Sequence, residues 1–402
     1  MPDDRTPRPT VMPLGGTRYT FLDRHDDLLV RVRPPAVTST APPCDVLVVP
    51  THRHPQRLRP AARLAHRLRC SLLVLCSPPG ERTVLDVIGP APDVPVFVLS
   101  LPWPAAGPLT GRAAPPVPCR SLRHVDVAAK RNLALALARL LAWRRVLFLD
   151  DDIRDLDPHQ VRGAGSLLDG GAGLRAAGWT SEGFPDNSVL CHARRWAGKD
   201  QGVFVGGSTL LLDATGDLPW FPGVYNEDWL FLFDLLRSRA VGHVGATRQL
   251  TIDPFVDPRR AVEEEFGDLL GEGLFHLLHA DLALRAATTE DYWQDVVAGR
   301  RAVMVELLAA TARPGTGDPR RAPAEAVRRC LDAALARHSP DLPGHLARFV
   351  ADWRADRDAW RDRLSALRPC RDPGAGPAGP ADVIRALTVL GLPADRLHLR
   401  SA

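Results

Sequence analysis

Lysine is almost missing from this sequence of 402 residues, since only Lys130 and Lys199 occur. Arginine therefore carries the positive charge. The 51 basic residues nearly balance the 47 acidic ones, which leaves a formal net charge of +4. So small a charge over this length is not the basic surplus of a nucleic-acid-binding protein. We therefore expect no nucleic-acid partner.

Paired cysteines and long hydrophobic runs are also lacking. The seven cysteines show no C-x-x-C spacing, which argues against a zinc finger and predicts free thiols in a reducing compartment. No apolar run approaches the roughly 20 residues that span a bilayer. The polar, proline-rich stretch 1–10 has no apolar segment of the kind found in signal peptides. We expect a cytoplasmic protein without a transmembrane segment, and contact with a membrane surface stays open.

Short apolar runs alternate with helical patterns in the first part of the chain. Nearly continuous apolar runs of this kind are typical of parallel strands buried on both faces, and the alternation predicts an α/β fold with a mostly parallel, Rossmann-like sheet flanked by helices. The runs cover residues 45–50, 71–76, 94–99 and 145–149, and the helical patterns between them cover 60–68 and 126–143.

The remainder of the chain is less regular. Residues 163–202 are rich in glycine and are expected to be irregular. Further strands are expected within 28–32, 203–212 and 241–252, and helices from about 258 onward. Because the length exceeds what one core usually supports, the sequence predicts an N-terminal extension (1–43), a main α/β domain (44–284) and a helical C-terminal region (285–402).

Three consecutive acids, Asp150, Asp151 and Asp152, follow the apolar run 145–149 directly. In α/β sheets, ligands bind beyond the carboxyl ends of the parallel strands. Two carboxylates spaced i and i+2 at such an end suit a hard divalent cation, Mg²⁺ or Mn²⁺, that also takes diphosphate oxygens. A solvated turn or a helix N-cap is the simpler alternative, because aspartate favours both.

Five segments in the order of the chain resemble GT-A glycosyltransferases, especially the large inverting family 2. The segments are 46–51 (an apolar strand, Pro, Thr), 128–134 (A-A-K-R-N-L-A), 148–152 (F-L-D-D-D), 206–208 (G-G-S) and 227–228 (E-D). Each is weak alone, but together they span about half of the chain. The resemblance implies a GT-A domain at 44–284 and transfer of a hexosyl group from a nucleoside-diphosphate sugar to a hydroxyl acceptor.

The resemblance also implies residues that bind the donor. Pro50, Thr51 and Arg53 would contact the nucleoside, and Arg131 and Asn132 would lie near the base or diphosphate. Asp150 and Asp152 would hold Mn²⁺ or Mg²⁺ with the ribose-diphosphate. Asp151 would assist from beside them.

On the acceptor side, the resemblance implies that Gly207 lies in the small-residue turn that lines the site. Asp228 would be the general base that deprotonates the acceptor hydroxyl, and Glu227 would orient the sugar. Residues 226–228 could instead simply cap the following helix, because acids favour helix N-termini.

Some positions depart from the family's pattern. The second strand ends Leu75-Cys76-Ser77 without the aspartate that reads the base, so the donor nucleotide stays open. His243 and Asp253 are candidates for a third metal ligand. A retaining reaction, in which Asp228 need not be a base, is also open.

Two other functions are compatible with the acidic triplet. Phosphotransferases of the haloacid-dehalogenase type use a strand-end aspartate as nucleophile, although this chain has Arg154 where they place Thr or Val. A non-catalytic module that only binds a nucleotide sugar is the other alternative.

Two further groups of residues allow either a structural or a functional interpretation. Trp220, Phe221, Tyr225 and Trp229 could pack a loop or stack against a sugar. The run 263–265 (E-E-E) is expected to be a solvated helix face.

Overall fold

A computed structural model describes residues 19, 21–22, 24–37, 41–52, 55–77, 81–88, 94–100, 109–116, 121–171, 173–182, 188–312, 322–372 and 374–400. Ten strands are formed by these residues, and all belong to one sheet. They are β1 (Val30–Arg31), β2 (Val46–Thr51), β3 (Ser71–Cys76), β4 (Val96–Ser100), β5 (Arg145–Leu149), β6 (Ile153–Arg154), β7 (Ala176–Glu182), β8 (Thr209–Asp213), β9 (Val241–Gln249) and β10 (Leu397–Arg400).

The strand order is β1-β9-β7-β8-β5-β2-β3-β4-β10, and β6 pairs with β9. Strands β4, β3, β2 and β5 pair parallel with one another in this order, whereas β8 lies antiparallel between β5 and β7. The predicted fold class, a mostly parallel sheet flanked by helices with a helical C-terminal region, is confirmed.

Alternate residues of a central strand pack against opposite faces of the sheet, which explains why the whole strand is apolar. Val46 and Val48 belong to the hydrophobic cluster on one face of the sheet, and Leu47 and Val49 belong to the cluster on the other face. Each strand is therefore covered on both sides, as expected of parallel strands.

The described residues form eleven α-helices. They are α1 (Arg59–Leu68), α2 (Glu81–Ile88), α3 (Leu122–Leu140), α4 (Pro158–Asp169), α5 (Val189–Trp196), α6 (Glu227–Arg237), α7 (Pro258–His279), α8 (Glu290–Thr311), α9 (Ala324–Leu335), α10 (Leu342–Ala366) and α11 (Pro380–Val389). Among them, no helix is both long enough and apolar enough to cross a membrane.

The C-terminal helices share a core with the α/β part. Trp353 and Trp360 of α10 are buried in the same cluster as Phe233 of α6 and Leu133 of α3. The chain then returns to the sheet, where β10 pairs antiparallel with β4. The predicted division of the chain at residues 43 and 284 stays a prediction.

Residues 163–202 are more regular than the sequence predicted. They contain the end of α4, the strand β7 and the helix α5. Gly163 permits close packing rather than irregularity, because a β-carbon there would lie 2.6 Å from the carbonyl oxygen of Pro35. The expected strand at 28–32 is reduced to β1, which pairs with β9.

Candidate active site

The acidic triplet forms a tight turn at the carboxyl end of β5. The backbone N–H of Asp150 donates to the carbonyl of Ser208 (2.8 Å), and the N–H of Ile153 donates back to the carbonyl of Asp150 (3.2 Å). The three side chains differ in environment. Asp150 lines a cavity with a side chain that is 31% exposed, whereas Asp151 and Asp152 are buried.

Arg131 of α3 lies between the acidic side chains that line this cavity. Its guanidinium donates to Asp150 over 3.0 Å and forms a second, short ion pair with Glu227. Burial alone would lower the pKa of Arg131, but the charges of Asp150, Glu227 and Asp228 together raise it. Arg131 thus joins the end of β5 to the start of α6.

The glycine pair before β8 allows two charged groups to approach closely. The backbone N–H of Gly207 donates to Oδ2 of Asp228 over 2.6 Å. A β-carbon on Gly206 would lie 2.6 Å from that same carboxylate oxygen, and one on Gly207 would lie 2.7 Å from a guanidinium nitrogen of Arg131. Only glycine leaves room for both groups.

Glu227 and Asp228 begin α6 and point into the cavity. The residue before them, Asn226, has a left-handed backbone (φ 61°, ψ 31°) that starts the helix at this angle. Burial raises the pKa of Glu227 to about 8; Arg131 opposes this shift and Asp228 adds to it. The N–H of Trp229 donates to the second oxygen of Asp228 (2.9 Å), so backbone donors fix both carboxylate oxygens.

The cavity has a volume of about 190 Å³. Its wall includes Arg131, Asp150, Glu227 and Asp228. At the start of α3 the wall continues with His124, whose pKa is lowered to about 3 by burial and by the charges of Arg123 and Arg260. His124 is therefore neutral at physiological pH.

A second polar network fixes the end of β2 next to the triplet. The hydroxyl of Thr51 donates to Asp151. The ammonium of Lys130 donates to the carbonyl of Thr51 (2.9 Å), to the hydroxyl of Ser77 (2.7 Å) and to Asp126 (2.7 Å). Burial lowers the pKa of Lys130, and Asp126 opposes that shift. Thr51 and Asp151 therefore serve first to hold the strand ends together.

Two predicted site residues, Asn132 and Pro50, do not line this cavity. The amide of Asn132 is completely buried and is engaged by the backbone of Phe221 and Leu109 over 2.8–3.1 Å, so it packs a loop instead of lining the cavity. Pro50 is buried within β2. Arg53 lies outside the described residues.

The candidate third metal ligands are also separate from the cavity. His243 contacts Thr180 and the carbonyl of Gly245 (2.9 Å), and Asp253 accepts from the N–H of Phe255. Within the part of the chain that the structure describes, no group of three or more His, Cys, Asp or Glu side chains is arranged to hold a metal ion.

The four aromatic residues before and at the start of α6 differ in their surroundings. Trp220 and Phe221 are buried, and Phe221 stacks on Phe231 with ring centroids 3.9 Å apart. Tyr225 and Trp229 line the cavity. Trp220 and Phe221 therefore pack the loop, whereas stacking of Tyr225 or Trp229 against a sugar stays a prediction.

Residues that the sequence did not indicate complete the cavity wall. Arg24 and His25 come from the N-terminal extension, and Arg260, Glu264 and Asp268 come from α7. The expectation of a solvated face at 263–265 is wrong for two of its three residues, since Glu264 and Glu265 are buried. The partners of Glu265 lie on α8 and after α9, whereas Glu264 pairs with Arg260 of its own helix and also accepts from the backbone N–H of Val189.

Comparisons with known proteins give only weak likenesses. No protein-family model matches the sequence, and no curated protein matches it significantly. Among solved structures, glucosyl-3-phosphoglycerate synthase from Mycobacterium tuberculosis, in complex with Mn²⁺, UDP-glucose and phosphoglyceric acid, is similar at 16% identity and a TM-score of 0.34. The alignment covers 68% of this chain and 81% of that one.

Mannosyl-3-phosphoglycerate synthase from Rubrobacter xylanophilus is similar at 18% identity and a TM-score of 0.35, over 54% of this chain and 70% of that chain. With TM-scores this low, neither likeness assigns an activity to this chain.

Proposed function

We propose that this protein is a glycosyltransferase that moves a sugar from a nucleoside-diphosphate sugar to a hydroxyl acceptor with the help of a divalent cation. One observation carries the proposal. Arg131 bridges Asp150, at the carboxyl end of a parallel strand, to Glu227 at the start of α6, and Asp228 faces the same cavity. Four segments that resemble one enzyme family thus surround one cavity.

The donor's diphosphate would lie at the Asp150 end of the cavity. Mn²⁺ and Mg²⁺ commonly take only one or two protein carboxylates and complete their shell with phosphate oxygens and water. The partly exposed carboxylate of Asp150 fits such an ion. We propose Asp150 as one protein ligand and the buried Asp152, two residues further along the same turn, as the second. When bound, the cation would neutralise charge on the leaving diphosphate.

Asp228 would act at the acceptor end. Its carboxylate is fixed by the N–H groups of Gly207 and Trp229, so its orientation is set before the acceptor arrives. In an inverting transfer the acceptor hydroxyl would give its proton to Asp228 as the oxygen attacks the sugar. Glu227, held by Arg131, would orient the sugar hydroxyls. A retaining product would remove the role of Asp228 as base.

A thermal-shift panel tests the proposal. UDP, GDP, ADP and dTDP are added with and without Mn²⁺, and at least one should raise the melting temperature only in the presence of the metal. Asp150→Ala and Asp152→Ala should remove that shift. The matched control is Asp155→Asn, an exposed neighbour whose left-handed backbone (φ 60°) suits asparagine.

Three results would contradict the proposal. They are binding without metal, no binding of any of the four nucleotides, or unchanged binding in both aspartate variants. Hydrolysis of an aryl phosphate through Asp150 would favour the phosphotransferase alternative. Binding without release of nucleoside diphosphate from any sugar nucleotide would favour the non-catalytic module.

A further inference from the structure

Four buried polar side chains form a continuous network behind the candidate catalytic acids. Arg300 of α8 donates two hydrogen bonds to Glu265 (3.0 and 2.9 Å) and one to Asp268 (2.6 Å), both on α7. His338, in the segment after α9, contacts Glu265 over 2.7 Å. The side chains of all four are at most 4% exposed.

This network of side chains reaches Asn226, the residue directly before α6. The amide of Asn226 donates to Oδ1 of Asp268 over 3.1 Å. Asn226 is the left-handed residue directly before Glu227 and Asp228, and a left-handed backbone is unfavourable for most side chains. Its angle sets the direction in which both acids leave the backbone.

Two glycines of α7 bring this helix against the same turn. A β-carbon at Gly267 would lie 2.2 Å from the carbonyl oxygen of Tyr225, and one at Gly271 would lie 3.2 Å from the amide nitrogen of Asn226. The face of α7 that carries Asp268 therefore packs closely against residues 225–229.

The hydrogen bonds of this network fix the side chain of Asp268. Burial raises the pKa of Asp268, the guanidinium of Arg300 opposes that shift, and Glu272 and Glu265 add to it. Burial would lower the pKa of Arg300, but Asp268 and Glu265 hold it well above its ordinary value. Because Arg300 is fixed on its other side by Glu265, it holds Asp268 in one rotamer against Asn226.

We infer that Asp268, locked by Arg300, is a positioning residue that sets the catalytic geometry of Glu227 and Asp228 through Asn226. The C-terminal helical region, to which Arg300 and His338 belong, thereby controls the reaction at a distance. The inference rests on the proposed function. It goes beyond it, because it assigns a role to residues outside the cavity's catalytic group.

Turnover of a donor by water tests the inference without a known acceptor. The probe is the sugar nucleotide from which the wild type releases nucleoside diphosphate fastest among UDP-, GDP-, ADP- and dTDP-glucose, with Mn²⁺ present. Asp268→Ala should lower kcat about tenfold to a hundredfold, as misplaced catalytic groups do, while the KM for the donor changes by less than about threefold. Asn226→Gly, which tolerates the backbone angle but lacks the amide, should lower kcat less than Asn226→Ala does.

A double variant distinguishes a positioning role of Asp268 from a general loss of stability. If Asp268 acts through Asn226, the pair Asn226→Ala with Asp268→Ala should lose no more kcat than Asn226→Ala alone, because both break one connection. The control is Trp293→Phe, which removes a buried hydrogen bond to the carbonyl of Ala287 (2.7 Å) in the same helical region. It should lower the melting temperature and leave kcat unchanged.

The two failures can be told apart. A wild type that turns over none of the four sugar nucleotides overturns the proposed function, and the inference with it. A wild type that is active while Asp268→Ala keeps its kcat, or whose double variant multiplies the two losses, overturns the inference alone. If Asp268→Ala does not fold, Asn226→Gly decides: unchanged kcat in that variant refutes the positioning role.

Discussion

Gly207 and Asp228 are joined by a hydrogen bond of 2.6 Å from a backbone N–H to a carboxylate oxygen. The same glycine leaves the space that the guanidinium of Arg131 fills. The backbone of Gly207 thus holds Asp228, the candidate base, and its lack of a side chain leaves room for the guanidinium of Arg131. The spacing of these groups depends on the backbone of the glycine turn before β8 as much as on the charged side chains themselves.

Gly207→Ala is expected to displace the guanidinium of Arg131, because the new methyl group would lie 2.7 Å from it. Release of nucleoside diphosphate from a sugar nucleotide should slow about tenfold or more. The control is Gly170→Ala, where the nearest atom, the carbonyl oxygen of Ser166, is 3.4 Å from the added carbon. Equal rates in the two variants would contradict the predicted displacement.

Arg131→Met should destabilise the fold by about 3–5 kcal/mol, because it leaves Asp150 without its cation and the buried Glu227 without its hydrogen-bond donor. Urea unfolding measures the loss. Arg361→Met serves as the control, since the pair of Arg361 with Asp358 is exposed and should contribute less than about 1 kcal/mol. Similar losses in both variants would show that the central ion pair is not structural.

The stability of the protein should depend on pH through Glu227. The pKa of Glu227 is raised from its ordinary 4.5 to about 8, so between these values the folded state keeps a proton that the unfolded chain has lost. The contribution of this group to the free energy of unfolding is therefore full below pH 4.5 and falls as pH rises to about 8. Glu227→Gln removes that titration.

Melting temperatures of the wild type and Glu227→Gln, measured from pH 5 to pH 8, check this expectation. The difference between them should shift steadily in favour of the variant as pH rises. A constant difference, or a shift in favour of the wild type, would mean that Glu227 is ionised throughout this range.

Asn132→Ala tests whether the side chain of Asn132 only packs the loop or also contributes to nucleotide binding. The side-chain amide holds the backbone at Phe221 and Leu109, so its loss should cost about 1–3 kcal/mol of stability. Affinity for the nucleotide that binds in the Mn²⁺ panel should be unchanged in calorimetry at a temperature where the variant is folded. A loss of affinity there would instead support the sequence-based expectation that Asn132 lies near the diphosphate.

The central strands could be predicted because their pattern has one physical solution. A run such as 46–49 is apolar at every position, and only a strand covered on both faces buries all of it. The turn at Asp150 follows from the end of such a strand. The glycines of α4 misled prediction for the opposite reason, since Gly163 packs against Pro34 and Pro35, and distant contacts of this kind leave no periodic signal.

Much of the polar shell around the cavity could not be predicted, because many of its residues are paired across long separations. His25 contacts Glu272 over 3.2 Å although 247 positions separate them, and Arg300 meets Glu265 across 35 positions. A glutamate in a run of three acids looks solvated until its partner is known. The short motifs that contain Asp150 and Glu227 could be recognised in the sequence, whereas the buried polar residues around them could not.

Strand β10 covers the edge of the sheet at β4, with Leu397 opposite Leu99 and Arg400 opposite Val96. An uncovered strand edge offers unpaired N–H and C=O groups to any extended chain that meets it. Because β4 is buried along its whole length and apolar except for Ser100, a chain cut before Leu397 would leave this strand as an aggregation-prone edge. Strand β10 therefore replaces a buried, mostly apolar strand as the edge of the sheet.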